Sequence, residues 1–475
     1  MRHQNSDTLA EKFSAGRELR KLCSRPSHKA IGQVERDPVK LLEASSAGRV
    51  QRLVPLRYGR MLTSPFAFYR GSAIIQAHDL ASTPHTGLTQ QICGDCHLMN
   101  FGGFATPERN LIFDINDFDE THPGPWEWDV KRLVASLSLA ARHLDLTAAA
   151  ADEAVFTAVK SYQRNMSSYA QMGALSLWYE RITLESLIAA TPDKVAKQTL
   201  VKSVAKAQGR TQENLLPKMG DKIDGRWVMR DTPPGLFHIH GHSTLFDKDD
   251  DWTQLGGWQP LAVHLLKEYV QSLSPSHRQL LGNFNIQDLA FKVVGVGSVG
   301  TRCLALLMTD AQDQPLFLQI KQAVRSVLAP YVPQRKKAAF KHDGQRVVVG
   351  QRLMQASSDL FLGTSTGPSG RHFYFRQLRD MKISAEIEAF DLNLLRQYAS
   401  LCGHVLARAH ARAGGHAPQI SAYLGKGDAF ANALVLYAGD YADQVHRDFE
   451  TFRAACRTGR LLAQTEADFG ADISV

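Results

Sequence analysis

The fold is decided by two neighbouring stretches, Cys93-Gly94-Asp95-Cys96-His97-Leu98-Met99-Asn100 and Phe113-Asp114-Ile115-Asn116-Asp117-Phe118-Asp119-Glu120. An aspartate precedes an asparagine by five residues, and after a spacer of hairpin length an apolar strand runs into Asp-Phe-Asp. Phosphoryl transfer needs one aspartate to orient or deprotonate the acceptor, an asparagine amide oxygen, and a second aspartate for the metal that bridges the nucleotide phosphates. The pattern therefore predicts Asp95 as a catalytic residue and Asn100 and Asp117 as metal ligands, with Asp119 as second choice.

A glycine-rich motif occurs much later in the chain, where Gly295-Val296-Gly297-Ser298-Val299-Gly300 fits G-x-G-x-x-G. Dinucleotide-binding folds and kinases both use this motif, but a dinucleotide loop must open a helix. Here the loop runs into Thr301 to Met308, which is strand-like, and a third strand ends near Lys321. Lys321 points away from the apolar face of its strand. The context predicts that Lys321 and the amides from Gly297 to Gly300 hold nucleotide phosphates; the alternative is a tight hairpin with an exposed lysine.

Composition predicts a multi-lobed cytoplasmic protein. The 475 residues are too many for one simple core, and no run approaches the roughly 18 apolar residues of a membrane span. Residues 1–29 lack the apolar segment of a secretory signal, and six scattered cysteines indicate reduced thiols. The net charge is +8, but the basic residues are dispersed apart from Arg335-Lys336-Lys337 and Lys341. With no zinc finger or RNA-binding signature, we expect neither a nucleic-acid partner nor a membrane partner.

The hydrophobic pattern and the positions of Gly and Pro residues divide the chain into five predicted parts. They are an N-terminal arm (1–50), a segment with the catalytic loop and metal site (51–145), a helical segment with a loop insertion (146–280), a small β lobe (281–385) and a C-terminal helical part (386–475). Residues 51–120 alternate short strand-like runs with Gly and Pro. An amphipathic helix is predicted from Leu394 to Ala409, ending at Gly414-Gly415.

Other motifs suggest alternative chemistries. Cys93-Gly94-Asp95-Cys96-His97 also fits the c-type haem attachment motif or a dithiol, and Gly-Asp-x-His occurs in metallophosphoesterases. The histidines of Phe237-His238-Ile239-His240-Gly241-His242, followed by Asp247 and Asp249 to Asp251, could bind a transition metal, although a polar loop is the simpler interpretation.

Long motifs spread over the chain resemble those of the bacterial DUF2252 family, a family of unknown function. They are Arg57-Tyr58-Gly59-Arg60-Met61, Ser64-Pro65-Phe66-Ala67-Phe68-Tyr69-Arg70-Gly71, Gly94 to Gly102, Asn116 to Glu120, Pro123 to Asp129, Gln351 to Gln355, Arg376 to Lys382 and Ala409 to Arg412. In turn, these motifs resemble those of the aminoglycoside-phosphotransferase and protein-kinase superfamily.

The second resemblance implies an α+β, circularly permuted protein-kinase-like fold with a small antiparallel β lobe and a larger, mostly helical lobe. Kinases place the glycine loop and lysine before the catalytic aspartate, whereas here residues 95–117 precede residues 295–321. The permutation predicts that both segments face one cleft, that the helix ending near His410 lies beside the Gly94–Asp95 loop, and that Asp129 braces this loop.

The resemblance implies an ATP- and Mg²⁺-dependent phosphotransferase, with nucleotide bound by Gly295, Gly297, Ser298, Gly300 and Lys321 and an unknown hydroxyl acceptor. A kinase lysine is normally held by a helical glutamate. No glutamate occurs between Lys321 and Glu386, which predicts an unpaired lysine and slow or absent turnover. A non-catalytic nucleotide-binding scaffold is therefore the first alternative. An adenylyl transferase and a metal-dependent phosphoesterase are the next two.

Overall fold

The computed structural model describes residues 7–191, 193–239, 245–246, 250–332, 340–378 and 381–472. The basic run Arg335 to Lys337 and the motif residues Arg379 and Asp380 lie outside these ranges. The described chain is an α+β protein with small antiparallel sheets and a larger helical part, as the sequence predicts at this level.

Helices make up most of the described structure. They are α1 (Leu9–Leu22), α2 (Pro38–Ser46), α3 (Val54–Met61), α4 (Pro65–Gly71), α5 (Ala73–Leu80), α6 (Trp126–His143), α7 (Ala148–Tyr169), α8 (Ala174–Tyr179), α9 (Leu184–Ala190), α10 (Lys194–Gln208), α11 (Gln212–Met219), α12 (Asp251–Gln254), α13 (Trp258–Ser272), α14 (Pro275–Leu281), α15 (Asp343–Met354), α16 (Leu392–Gly414), α17 (Ala417–Leu424), α18 (Ala429–Arg457) and α19 (Glu466–Asp472).

The strands are short and pair in antiparallel fashion. They are β1 (Thr89–Ile92), β2 (Phe101–Ala105), β3 (Leu111–Ile115), β4 (His122–Pro125), β5 (Gly220–Ile223), β6 (Arg226–Met229), β7 (Leu236–Phe237), β8 (Asn285–Lys292), β9 (Cys303–Thr309), β10 (Pro315–Ala323), β11 (Gly363–Thr366), β12 (His372–Gln377) and β13 (Ile383–Ser384).

The largest sheet has the order β11-β12-β10-β9-β8-β7 and forms the small lobe. Its strands β8, β9 and β10 confirm the three predicted strands, and the glycine-rich loop between β8 and β9 leads into a strand rather than a helix. Leu316, Leu318 and Ile320 of β10 are buried in the core of this lobe. Because side chains alternate along a strand, Lys321 lies on the opposite face, as its sequence position predicts.

The helical lobe is built around α6, α7, α16 and α18, whose apolar faces share one large core. The predicted helix is present as α16, and Gly415 beyond its end has a φ of +66°, a left-handed conformation that favours glycine at a helix C-terminus. The prediction of strand-like runs over residues 51–80 is wrong, because α3, α4 and α5 occupy this stretch. Helix α4 is buried on nearly all sides, with Phe66, Phe68 and Tyr69 in the same core.

No helix in the described ranges is long and apolar enough to cross a membrane.

One buried ion pair connects α16 to the strand that leads into the Asp-Phe-Asp segment. Arg408 of α16 donates through Nη2 to both carboxylate oxygens of Asp114 on β3, at 2.6 and 2.8 Å, and neither side chain is exposed to solvent. The same nitrogen donates to the carbonyl of Met354 at the end of α15, at 2.9 Å. Arg408 therefore joins three elements that converge beneath the Asp-Phe-Asp segment.

We expect Arg408→Met to lower the free energy of unfolding by about 3–5 kcal/mol, because it leaves the carboxylate of Asp114 buried without its cation. Urea unfolding measures this loss. Arg396→Met on the same helix is the matched control, since Arg396 pairs with Glu153 at 2.8 Å with both side chains almost half exposed. We expect it to cost no more than about 1 kcal/mol. Equal losses in the two variants would contradict the role given to Arg408.

Candidate functional site

A cavity of about 720 Å³ lies between the small lobe, the β2–β3 hairpin and the helices α3 to α5. Its walls include Asp95, Asn100, Asp117, Asp119 and Lys321, which the sequence predicts as one site. Of the predicted glycine-loop residues, Gly295, Gly297 and Ser298 also line the cavity. Gly300 lies outside it, at the base of the loop, where a φ of +87° turns the chain towards β9.

The loop that carries Asp95 is held from below by Asp129 in the first turn of α6. The Asp129 carboxylate accepts hydrogen bonds from the backbone amides of Cys93 and Gly94, at 2.7 and 2.8 Å. His410 of α16 lies on the other side of this carboxylate, with Nε2 3.1 Å from Oδ2. The loop is thus fixed through backbone contacts, which leave the side chain of Asp95 directed to the cavity.

Asp95 has a cationic partner of its own. Nε of Arg132 donates to its Oδ1 at 2.8 Å, and His97 Nε2 lies 3.8 Å from its Oδ2. Burial lowers the pKa of His97 to about 3, so this imidazole is neutral at physiological pH. Arg132 also donates to the carbonyl of Tyr69 at 2.7 Å. The carboxylate of Asp95 is therefore oriented by α6 and held to the end of α4.

Asn100 closes the same loop from its other end. Its Nδ2 donates to the backbone carbonyl of Asp95 at 2.5 Å, and its own carbonyl accepts from the amide of Asn116 at 2.7 Å. Because the amide nitrogen is engaged, the side-chain oxygen of Asn100 is the atom left to accept a ligand at the cavity wall.

Lys321 crosses the cavity to the Asp-Phe-Asp segment. Its ammonium forms an ion pair with Oδ2 of Asp119 and lies 3.6 Å from Oδ1 of Asp117. The prediction of an unpaired lysine is therefore wrong. Instead of a glutamate on a neighbouring helix, the lysine pairs with carboxylates that lie about two hundred residues earlier in the chain.

Asp119 is the more heavily engaged of the two carboxylates. Besides Lys321, it accepts hydrogen bonds from the hydroxyl of Tyr374 at 2.6 Å and from Oγ of Ser298 in the glycine loop at 3.2 Å. Among the described residues, Asp117 has the longer contact with Lys321 and a 3.4 Å bond from the amide of Asp119, and a third of its side chain is exposed. Asp117 is thus the carboxylate with room for a further ligand.

The charged side chains around Lys321 and Asp117 shift one another's pKa values. Burial favours the neutral form of Asp117, but the nearby cations Lys321 and Arg376 outweigh it and lower its pKa. Burial likewise disfavours the charged form of Lys321, yet Asp117 and Asp119 raise its pKa above the ordinary value. Both groups are therefore charged at neutral pH, and the lysine neutralises the two carboxylates in part.

The glycine loop packs on the Asp119 side of the cavity, but only part of its backbone is free. The amide of Ser298 donates to the carbonyl of Gly295 at 2.9 Å, so it does not point to a ligand in this conformation. A Cβ added to Gly297 would lie 3.3 Å from the carbonyl oxygen of Arg70, which shows how closely the loop approaches the end of α4.

Asp117 and the oxygen of Asn100 are chemically suited to a magnesium ion, because oxygen donors from one or two protein groups suffice when the nucleotide phosphates supply the rest. No group of three or more His, Cys, Asp or Glu side chains that could hold a metal by themselves occurs within the described ranges. The residues present fit a metal that arrives with a nucleotide better than a metal held by the protein alone.

The other predicted motifs are in structural roles where they are described. Burial raises the pKa of the Cys96 thiol, and Cys93 Sγ lies 3.4 Å from the carbonyl of Asp117. His238 lies between Asp231 and Asp288, at 2.7 and 2.8 Å, and these carboxylates raise its pKa to about 8 against the effect of burial. The remaining histidines His240 and His242, with Asp247 and Asp249, lie outside the described residues.

Sequence reasoning missed several side chains of the site. Tyr374 and Arg376 reach the cluster from β12, where Tyr374 pairs across the sheet with Lys321. A second group of missed residues consists of arginines on the N-terminal elements, which line the cavity together with Lys292 and Lys382: Arg49, Arg57, Arg60, Arg70 and Arg109. No local spacing marks any of them, because each reaches the site through tertiary packing.

We expect Lys321→Met to lower the free energy of unfolding by an amount that depends on pH. A carboxylate whose pKa is lowered on folding stabilises the protein above its unfolded pKa, about 3.9 for aspartate, and that stabilisation is lost as the pH falls through the folded pKa. Lys321 helps to lower the pKa of Asp117, so the loss of unfolding free energy in Lys321→Met should be largest near neutral pH and shrink below about pH 4. Urea unfolding across this range measures it.

The control for this experiment is Lys222→Met, since Lys222 pairs with Asp313 on the surface at 2.6 Å. We expect a loss of less than about 1 kcal/mol at every pH for this variant. A loss in Lys321→Met that stays constant from neutral pH to about pH 3 would show that Lys321 does not act on the ionisation of Asp117.

Comparison with known proteins gives one result. No curated protein matches this chain, and no solved structure matches it. The family model described as "Uncharacterized protein conserved in bacteria (DUF2252)" matches residues 49–455. This range contains the braced Asp95 loop, the Asp-Phe-Asp segment, the glycine loop and Lys321. The chain therefore belongs to the DUF2252 family.

Proposed function

We propose that the protein is an ATP- and Mg²⁺-dependent phosphotransferase with a circularly permuted kinase-like fold, which acts on the hydroxyl group of an acceptor. One observation carries the proposal. Lys321 pairs with Asp119, which lies 202 residues earlier in the chain, and with Asp117 beside it, in a cavity that Asp95 and Asn100 also line. Metal and lysine must contact the same triphosphate, and this juxtaposition is what such chemistry requires.

The order of elements in the small lobe supports the proposal. The glycine loop joins β8 and β9, and the lysine follows on β10, as the loop and lysine do on the first three strands of kinases. Helix α15 comes next and packs on β10 and β12, in the place where kinases carry a helix beside the lysine. It carries no glutamate, and Gln355 directly after its end donates to the carbonyl of Ile115 at 2.6 Å.

The proposed transfer assigns one role to each polar group. Asp95 accepts a hydrogen bond from the acceptor hydroxyl and takes its proton as the oxygen attacks the γ-phosphorus. The bond between the γ-phosphorus and the bridging oxygen breaks, and ADP leaves with that electron pair. Lys321 holds the phosphates, and Asn100 and Asp117 hold Mg²⁺, with Asp119 positioning the lysine. Magnesium, when bound with the nucleotide, neutralises charge on the phosphate oxygens.

A second candidate function is a nucleotide sensor without turnover. It is favoured by the ion pairs of Lys321, because the lysine neutralises the carboxylates that a metal would otherwise need. A sensor would bind ATP through Lys321 and the glycine loop without placing an acceptor at Asp95.

Ligand-induced stabilisation and ATP consumption test the proposal together. We expect Mg²⁺ and ATP to stabilise the wild-type protein by about 2.7 kcal/mol at a nucleotide concentration one hundred times Kd, measured as a rise in unfolding temperature. Lys321→Met should abolish the rise, and Asp117→Asn should remove its dependence on Mg²⁺. Asp95→Asn should keep the rise and lose ATP consumption, because Asp95 contacts the acceptor rather than the nucleotide.

The matched control is Asp152→Asn, since Asp152 lies on the exposed side of α7 and does not line the cavity. It should behave as wild type in both assays. The absence of stabilisation by ATP at any metal concentration would contradict both candidate functions. Stabilisation with no turnover in the wild type across phosphorylatable acceptors would favour the sensor.

A further inference from the structure

The cavity contains a buried arginine with no acidic partner. Arg57 on α3 is 2% exposed and donates only to neutral oxygens: Oγ of Ser46 at 2.7 Å, Oγ of Ser45 at 3.1 Å and the carbonyl of Gly71 at 2.7 Å. No carboxylate among the described residues lies within ion-pair distance of it, and its Nε has no partner. Burial lowers its pKa well below the ordinary value. An isolated buried guanidinium is costly unless an anion compensates it.

Two further arginines, Arg49 and Arg70, line the same cavity as Arg57. Arg49 precedes α3 and donates to the backbone carbonyls of Ser45 and Val299, at 2.9 and 2.5 Å. Its positive charge repels that of Arg57. Arg70, at the end of α4, makes no hydrogen bond or ion pair with any described residue, and its Nε is buried without a partner. Burial lowers the pKa of Arg70, and the carboxylates of Asp95 and then Glu388 act against this effect.

The three arginines reach the cavity from the N-terminal elements that precede β1, whereas Lys321 and its neighbour Arg376 lie on the large sheet. Over the whole cavity, nine lysine and arginine side chains face five carboxylates. Arg49 lies against the glycine loop, where Glu120 and Asp119 act on its charge. Asp95 is the carboxylate that acts most strongly on Arg70, so Arg70 provides positive charge at the Asp95 end.

We propose that Arg70, with the positive charge of Arg49 and Arg57 nearby, forms a second anion subsite, and that the acceptor is an anionic molecule whose phosphate or carboxylate binds there while its hydroxyl lies at Asp95. This inference rests on the proposed phosphotransferase function and names its substrate class. Arginine suits the role because its planar guanidinium binds phosphate and carboxylate through two parallel hydrogen bonds. Arg70 lines the cavity, and its two terminal nitrogens offer such a pair of donors.

Titration of inorganic phosphate tests the subsite. The protein is titrated by calorimetry both free and saturated with Mg²⁺ and a non-hydrolysable ATP analogue, and the analogue is titrated separately. We expect phosphate to bind both forms with similar affinity, because its site differs from that of the nucleotide. Arg70→Gln should weaken phosphate at least tenfold and change the affinity for the analogue less than twofold. The side chain of Arg70 makes no hydrogen bond with a described residue, so its replacement removes only the cation–π contact with the ring of Phe66, 5.8 Å away.

Two control variants accompany Arg70→Gln. Arg453→Gln removes the same charge from an exposed ion pair on α18, away from the cavity, and should bind phosphate as the wild type does. Arg70→Lys keeps the charge but loses the paired donors, and should lie between wild type and Arg70→Gln.

The possible outcomes separate the subsite from the proposed function. Competition between phosphate and the analogue, or a loss of analogue affinity in Arg70→Gln of tenfold or more, would assign the arginines to the nucleotide and overturn the inference while the function stands. Phosphate that binds neither form, or binds Arg70→Gln as tightly as wild type, would also overturn it. If the analogue does not bind at all, the phosphotransferase proposal fails and the acceptor assignment fails with it.

Discussion

The ion pair between Lys321 and the carboxylates of Asp119 and Asp117 holds the two lobes in register. The lysine comes from the small lobe and the carboxylates from the segment after β3, so the pair fixes how the large sheet sits over the β2–β3 hairpin. Tyr374 and Ser298 add two more bonds to Asp119 from β12 and the glycine loop. Four elements that are distant in the chain therefore meet at one carboxylate, and the cavity is the space that this meeting leaves open.

The helical lobe fixes the position of Asp95. Asp129 accepts two backbone amides of the Asp95 loop, and His410 and Arg408 tie α16 to the same region through Asp129 and Asp114. Buried carboxylates of this kind are costly unless they are fully paired. Asp129 and Asp114 both have such partners, and through them the Asp95 loop is tied to α6 and α16.

Those features that depend on local pattern could be predicted from the sequence. The three strands around the glycine loop follow from apolar alternation, and α16 follows from its helical spacing and its glycine end. The proximity of Lys321 to Asp117 was expected only because a known chemistry requires it. The prediction of strand-like runs over residues 51–80 is wrong because short aromatic and apolar runs are equally compatible with strands. Tertiary packing, such as that of α4 on α6 and α18, selects helices there.

Other features could not be predicted because they arise from tertiary packing alone. The sequence after Lys321 predicts no acidic partner, yet Asp119, which precedes it by 202 residues, forms an ion pair with it. Likewise, nothing near Arg57 or Arg70 in the chain reveals that both lack an acidic partner, since charge balance in a cavity depends on residues from every wall. The resemblance to DUF2252 motifs, which the family match over residues 49–455 confirms, supplied no chemistry for them.

A crystal structure with Mg²⁺ and a non-hydrolysable ATP analogue tests the central claim most directly. The account predicts the triphosphate between the glycine loop and Lys321, with the lysine ammonium bound to a phosphate oxygen and the metal on Asp117 and the side-chain oxygen of Asn100. An analogue bound away from the glycine loop, with the Lys321 ion pairs unchanged, would contradict it.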